Sequence, residues 1–180
     1  MRYFIGYGLT GADAQAVRLL QEKIASEFGV HGALEYPPHI TIFPPFEVDN
    51  VEPLKKPLEA FVKNRLPFSV QTPGFASFNQ AVWFIDVAPK PELVDLKEKL
   101  VETVTQLGIK EAGVQHDTHF HLTLAFKQIP PDVFKRIGEF LKKETPPIHS
   151  VKMGALTLFA KQEDELWIAK SIFHFAAKLA

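Results

Sequence analysis

The sequence predicts an α+β fold made of two related halves, and two observations lead to this prediction. Strand-like and helix-like patterns alternate along the chain in the order β-α-β-α-β, then β-α-β-α-β, then a last strand. Three landmarks also recur after 82 to 84 residues: HITI at 39 returns as HLTL at 121, Phe75 as Phe159, and Trp83 as Trp167. Such an offset indicates two copies of one unit related by a pseudo-two-fold axis.

We therefore predict a single domain, residues 1–180, whose related halves cover approximately residues 1–80 and 81–180. An exchange of terminal strands between the halves is left open. No low-complexity segment or Gly/Ser linker divides the chain.

The first half opens with a strand over 2–9, where Gly6 and Gly8 permit a close backbone approach. Thr10 followed by Asp13 is typical of a helix N-terminus. Four apolar residues at helical spacing then predict a helix over about 11–28, ending near Gly29: Val17, Leu20, Ile24 and Phe28. Residues 39–43 predict a strand whose extension Pro44 and Pro45 limit.

A second helix is predicted from the apolar residues Leu54, Leu58, Phe61 and Val62. Pro53 and Pro57 fit this helix only if both lie before it or in its first turn. Strands follow at about 67–75 and 81–87.

The second half continues with a helix near 91–107 and a strand over 119–126. Pro130 and Pro131 open a fourth helix. Two strands close the chain, near 149–159 and 165–175.

Composition restricts the classes of function. The formal net charge is −1, whereas proteins that wrap long nucleic acids usually carry a basic excess, so we expect no long DNA as a partner. A site for one nucleotide or one RNA end stays compatible with this charge. The chain has no cysteine, which excludes disulfides, thiolate zinc sites and cysteine nucleophiles. Without a signal-like or membrane-spanning segment, we expect a cytoplasmic monomer with no membrane contact.

Each HxT string presents an imidazole and a hydroxyl on one face of its strand. Side chains alternate along a strand, so His39 and Thr41 point one way while Ile40 and Ile42 point the other. The corresponding polar residues of the second string are His119, His121 and Thr123. If the two units pack symmetrically, a motif near the axis faces its twin and the two strings form one site.

A pair of histidines suits phosphodiester cleavage without a metal ion or cofactor. One imidazole acts as base towards water or a ribose hydroxyl, and the other protonates the leaving oxygen. Both tasks need a pKa near neutrality, about 6.5 for an unperturbed histidine, and predict a bell-shaped pH profile. The threonine hydroxyls donate hydrogen bonds to the non-bridging phosphate oxygens. The sequence leaves open which histidine is acid and which is base.

With these motifs the chain resembles the 2H phosphoesterase superfamily, which includes the 2′-5′ RNA ligase-like (LigT-like) proteins. The resemblance rests on HITI at 39–42, HLTL at 121–124 and the strand AVWFIDV after Gly74 and Phe75, and it covers essentially the whole chain. It implies two pseudo-symmetric lobes, each a mainly antiparallel sheet with two helices outside, and an active-site cleft between the lobes. It also implies an enzyme that opens 2′,3′-cyclic phosphates, or cleaves or joins 2′-5′ linkages in RNA, without metal.

The resemblance further implies that His39 and His121 are the acid/base pair, with Thr41 and Thr123 as phosphate ligands. Many LigT-like members carry an arginine shortly after the second motif. In this chain Phe126 and Lys127 stand there instead, which makes Lys127 a candidate for the missing charge.

Two further substrate contacts are predicted by position. Phe43 shares the strand face of His39 and is a candidate for stacking on a base, and His119 is a candidate for lining the cleft or tuning its neighbour. Two other classes of function stay open: a nucleotide or RNA-end binding module without catalysis, and a metal-dependent hydrolase. The metal ligands would be His116, Asp117, His119 and His121.

Overall fold

The computed structural model describes residues 1–110 and 119–177. Its four α-helices are α1 (Gly11–Phe28), α2 (Glu52–Val62), α3 (Pro91–Thr105) and α4 (Pro131–Leu141), with a 3₁₀ turn at Gly32–Glu35. Its strands are β1 (Arg2–Gly8), β2 (His39–Glu47), β3 (Phe68–Gln71), β4 (Phe75–Phe78), β5 (Val82–Val87), β6 (Phe120–Ala125), β7 (Ser150–Met153), β8 (Ala155–Lys161) and β9 (Trp167–His174). No helix of this described part is long and apolar enough to cross a membrane.

Seven strands form an antiparallel sheet in the order β4-β5-β6-β2-β1-β8-β9, and β3 pairs separately with β7. We call β2, β1, β8 and β9 the His39 half of the sheet, and β6, β5 and β4 the His121 half. Among the described residues the halves join through one registered pair, Ile40 with Leu122. The predicted α+β fold with mainly antiparallel strands is therefore confirmed.

The helices cross between the halves. Helix α1, which connects two strands of the His39 half, packs against β6, while α3, which connects β5 to β6, packs against β2. Their buried residues form one core with the apolar side chains of both motif strands, including Ile40 and Leu122. Since Ile40 and Leu122 point away from the motif histidines, this core lies on the face opposite the histidine side chains.

Two predicted strands are each interrupted near a glycine. The segment 67–75 divides into β3 and β4 around Pro73-Gly74, and 149–159 divides into β7 and β8 at Gly154. In both halves of the chain the first segment, β3 or β7, belongs to the two-stranded sheet. The second segment, β4 or β8, belongs to the seven-stranded sheet. The prediction of single strands is wrong here because a glycine or proline allows the chain to change direction.

Two predictions about prolines are also wrong. Strand β2 continues past Pro44 and Pro45 to Glu47, because these two residues form a bulge opposite Phe4 of β1 and pairing resumes at Phe46. Helix α2 begins at Glu52, so Pro57 lies inside the helix and not in its first turn, where it removes one helical hydrogen bond.

A β-bulge follows each HxT string at the same position. Ile42 is the extra residue of β2, because Thr41 pairs with Gly6 and Phe43 with Ile5. Leu124 is the extra residue of β6, because Thr123 pairs with Phe84 and Ala125 with Trp83. The residue after each bulge, Phe43 or Ala125, is therefore buried on the core side. This shared irregularity supports the duplication inferred from the sequence.

Candidate active site

The register of the central strands brings both motifs to one place. Because Ile40 pairs with Leu122 in antiparallel register, His39 lies across from Thr123, and Thr41 lies across from His121. The four polar side chains thus alternate around a square, with the histidines on one diagonal and the threonines on the other. Diagonal neighbours of this kind are typically about 7–8 Å apart, which leaves room for a tetrahedral anion between the two imidazoles.

The backbone fixes the tautomer of His39. Its Nδ1 lies 2.8 Å from the carbonyl oxygen of Pro37. A carbonyl oxygen only accepts hydrogen bonds, so Nδ1 carries the hydrogen, and Nε2 of the neutral ring is left with its lone pair.

The surroundings of His39 favour its neutral form. Its ring centroid lies 4.6 Å from that of Phe4 and 5.5 Å from that of Phe159. Burial, partly opposed by the Pro37 carbonyl and reinforced by the nearby His121, lowers the pKa of His39 to about 4, below the near-neutral value that the sequence predicts. This influence of His121 agrees with the register, which places the two rings together.

His121 repeats the backbone arrangement in the other half. Its Nδ1 lies 3.3 Å from the carbonyl oxygen of His119, two residues earlier, just as His39 contacts Pro37. Two aromatic rings flank it: the centroids of Phe78 and Phe84 lie 5.1 and 5.0 Å from the His121 ring. Both imidazoles are therefore oriented by the same two means, a carbonyl at position i−2 and neighbouring aromatic rings.

A cavity of about 180 Å³ lies beside the motifs. His39, Thr41 and Thr123 line it, and His121 borders the site from its position across from Thr41. Sequence reasoning missed several other lining residues, contributed by β1, α1, the 3₁₀ turn, β2 and the segments that flank the motif strands: Phe4, Gln21, Ala33, Tyr36, Pro37, Pro45 and Phe126.

Gln21 is the missed residue with the clearest sequence signal, because it is polar within the apolar stripe of α1. Its side chain is only 3% exposed, and its Nε2 donates a hydrogen bond to the Thr123 carbonyl oxygen at 2.8 Å. Its Oε1 is buried without a hydrogen-bond partner among the described residues. Gln21 thereby links α1 of the His39 half to the motif strand of the His121 half.

The family model described as the 2'-5' RNA ligase superfamily matches residues 10–165, most of the chain. The chain belongs to this superfamily of 2H phosphoesterases. No curated protein sequence matches this superfamily member significantly.

Solved structures show the same fold for this superfamily member. TT0787 of Thermus thermophilus has a TM-score of 0.67 and 16% identity, over 99% of this chain and 100% of that one. E. coli LigT complexed with 3'-AMP has a TM-score of 0.62 and 12% identity, over 98% of each chain. A crystallised phosphoesterase has a TM-score of 0.61 and 12% identity, over 98% and 99%.

In this 2H phosphoesterase, Phe43 does not line the site, so the prediction that it stacks on a base is wrong. Its side chain is 0% exposed and packs in the core against Phe46, with ring centroids 5.6 Å apart. The bulge at Ile42 turns Phe43 to the face opposite His39. The aromatic residues that do line the cavity are Phe4, Tyr36 and Phe126.

His119 contacts the carboxylate of Asp86 on strand β5. Its Nε2 is 3.0 Å from Oδ1 of Asp86, the residue that pairs with His121 in the sheet. The ring also contacts Phe78, with centroids 4.7 Å apart. These contacts place His119 next to His121, outside the cavity lining.

Lys127 lies beyond the end of β6, in a left-handed backbone conformation with φ 69°. Its ammonium group forms an ion pair with Glu35 of the 3₁₀ turn and lies 5.6 Å from the Phe126 ring centroid. Phe126 lines the cavity and Lys127 does not, so the Lys127 charge lies at the rim, next to a carboxylate.

The metal hypothesis rests partly on His116 and Asp117, which lie outside the described residues. Within residues 1–110 and 119–177, no group of three or more His, Asp or Glu side chains is arranged to hold a metal ion.

Proposed function

We propose that this protein is a metal-independent phosphodiesterase that acts on 2′,3′-cyclic phosphates or 2′-5′ linkages at RNA ends. The observation that carries the proposal is the square of His39, Thr41, His121 and Thr123, assembled from two strands 82 residues apart. Membership of the 2H phosphoesterases supports a phosphoesterase in general. The LigT structure described above holds 3'-AMP, a ligand of the same chemical class, in that protein.

In this mechanism His39 is the base. Its lowered pKa keeps it neutral at pH 7, and the Pro37 carbonyl leaves its Nε2 as the acceptor. Nε2 removes a proton from the attacking water as the oxygen bonds to phosphorus. His121, across the diagonal, donates a proton to the ribose oxygen as the bond between phosphorus and that oxygen breaks. The product is a phosphomonoester, and exchange with solvent restores both histidines.

Thr41 and Thr123 bind the phosphate between the histidines. Their hydroxyls donate hydrogen bonds to the non-bridging oxygens, where negative charge increases in the transition state. Hydroxyl donors held by a sheet need little rearrangement during the reaction, so they stabilise the transition state more than the ground state.

The test is turnover of 2′,3′-cyclic nucleotides and 2′-5′ dinucleotides by the pure protein in EDTA. We expect turnover by the native protein and a loss of about 10²–10⁴-fold for His39→Ala and for His121→Ala. His149→Ala is the matched control, since His149 is exposed and lies outside the site. Full activity of both site variants would refute the proposal.

A second candidate is a binding module that retains the cleft without catalysis. Its distinguishing result is measurable affinity for a 3′-nucleotide with no product from any cyclic or 2′-5′-linked substrate. If activity appeared only after a divalent metal was added, a metal-dependent hydrolase would replace the proposal.

A further inference from the structure

A second cavity, of about 310 Å³, opens on the same face of the sheet as the two motifs. Its floor is formed by β1, β8 and β9 of the His39 half. The residues that define it are Gly8, Thr157, Phe159, Ala169, Ile172 and His174. We call it the β9 cavity.

The β9 cavity adjoins the motif cavity. Pro37, whose carbonyl orients His39, lines both. Phe4 of the motif cavity stacks on Phe159 of the β9 cavity, with ring centroids 4.4 Å apart. A ligand held between the histidines therefore reaches the β9 cavity by passing Pro37 and the Phe4–Phe159 pair.

The lining of the β9 cavity combines an apolar floor with a polar rim. Ile172 is 51% exposed although it is a large apolar residue, and Ala169 beside it is also exposed. The lining also includes Tyr7, whose hydroxyl donates to the Lys152 carbonyl oxygen at 2.9 Å, and two residues able to bear positive charge, Lys152 and His174. An apolar surface with a cationic rim matches a nucleoside with a phosphate attached.

The volumes of the two cavities also favour a nucleoside in the β9 cavity. The motif cavity, at about 180 Å³, is smaller than the roughly 300–1,000 Å³ typical of ligand pockets. It is suited to a phosphate and its sugar, whereas the β9 cavity alone reaches the lower limit of that range.

We propose that the β9 cavity is a second nucleoside subsite, so that the protein prefers an oligonucleotide end to a mononucleotide. The phosphate to be cleaved lies between His39 and His121, attached to the terminal nucleoside. The second nucleoside from the end lies on Ala169 and Ile172. This inference rests on the proposed function and specifies its substrate as an RNA end at least two nucleotides long.

The test compares a 2′,3′-cyclic mononucleotide with a dinucleotide that ends in a 2′,3′-cyclic phosphate. We expect kcat/KM to be about tenfold higher for the dinucleotide, because a bound base contributes severalfold to about a hundredfold in affinity. Ala169→Trp fills the cavity and abolishes this advantage without changing mononucleotide turnover.

Ile168→Trp is the matched control. Ile168 is the preceding residue of β9, is 45% exposed and does not line the cavity, so the same large side chain is added on the opposite face of the strand. We expect this variant to retain the dinucleotide preference. Equal kcat/KM for the two substrates, or an equal loss for both in Ala169→Trp, would overturn the subsite.

A binding measurement separates this inference from the proposed function. Calorimetry compares a 3′-mononucleotide with a dinucleotide carrying a 3′-phosphate, on the native protein and both variants. If neither the cyclic substrates nor a 2′-5′ dinucleotide is turned over, the proposed function fails. The subsite still stands if the dinucleotide binds about tenfold more tightly and Ala169→Trp removes the difference; equal affinities refute it.

Discussion

His39 and His121 occupy equivalent positions on equivalent strands, yet their surroundings differ. His39 lies against Phe4 and Phe159, two residues that are each only 1% exposed, and burial is the main cause of its lowered pKa. His121 lies beside His119, whose imidazole contacts the Asp86 carboxylate. The difference supports the base role that we propose for His39, a distinction that the sequence left open.

The lowered pKa of His39 predicts a pH-dependent stability. The folded state holds the ring neutral down to about pH 4, whereas the unfolded chain binds the proton near pH 6.5. The contribution of the neutral His39 ring to the unfolding free energy is therefore complete above pH 6.5 and is lost as the pH falls from 6.5 towards 4. Between pH 7.5 and 5.0 we expect the native protein to lose about 1–2 kcal/mol more unfolding free energy than His39→Gln, measured by urea unfolding. Equal losses would contradict this account of His39.

The two threonines give a second prediction for single residues. Thr41→Val and Thr123→Val remove one hydroxyl each while preserving volume at half-buried positions. We expect each to lower kcat about 10–10²-fold with a smaller change in KM, because the hydroxyls act mainly on the transition state. Steady-state kinetics on a 2′,3′-cyclic nucleotide tests this. A rise in KM at constant kcat would instead assign the hydroxyls to ground-state binding.

At the scale of elements, α1 supports the motif strand of the opposite half. Gln21 supplies a donor to the Thr123 carbonyl, on the strand whose joining to β2 is limited to one registered pair. Replacing it leaves that carbonyl without this donor and removes a contact between α1 and the strand that presents the Thr123 hydroxyl.

We therefore expect Gln21→Met to lower kcat about 5–10-fold while the unfolding free energy changes by less than about 1 kcal/mol, since the substitution also removes a buried, unpartnered Oε1. Glu22→Met, on the exposed side of the same helix, is the control. Kinetics and thermal unfolding of both variants test the prediction. A large loss of stability with unchanged kcat would assign Gln21 to packing alone.

Periodicity and spacing predicted most elements but not their irregularities. Helix α1 was predictable over Gly11–Phe28 because four apolar residues repeat at helical spacing, and Gly29 adopts the left-handed conformation that ends it. The bulge at Ile42 was not predictable, because a bulge depends on the partner strand. For this reason Phe43 was predicted on the wrong face.

The pairing of distant elements was predictable only in part. The repeat of HITI as HLTL indicated that the motifs face each other, and the register of Ile40 with Leu122 shows how. The packing of α1 on β6, and with it the role of Gln21, depends on tertiary contacts that carry no local pattern.

At the scale of the molecule, the crossing helices make each half depend on the other. Helix α1 covers β6, α3 covers β2, and the core is continuous through both sets of strands. We propose on this basis that residues 1–180 form one cooperative domain and not two independent lobes.

Two tryptophans report on this cooperativity separately. Trp83 lies in the His121 half, stacked on Phe134, whereas Trp167 lies in the His39 half, stacked on Tyr36. We expect Trp83→Phe and Trp167→Phe, each with one remaining tryptophan, to give a fluorescence midpoint in urea that coincides with the circular dichroism midpoint of the same variant. Separate midpoints within one variant would show that the halves unfold independently.

The unequal environments of the twin imidazoles also bear on the outcome of the reaction. A perfectly symmetric site would bind a ribose 2′,3′-cyclic phosphate equally well in two opposite orientations. It would therefore yield a mixture of 2′- and 3′-monoesters. One ring lies against Phe4 and Phe159 and the other stands beside a histidine that contacts a carboxylate. In the mechanism that we propose, only one of the two orientations therefore puts the departing oxygen next to the proton donor. We therefore expect a single regioisomer of the product.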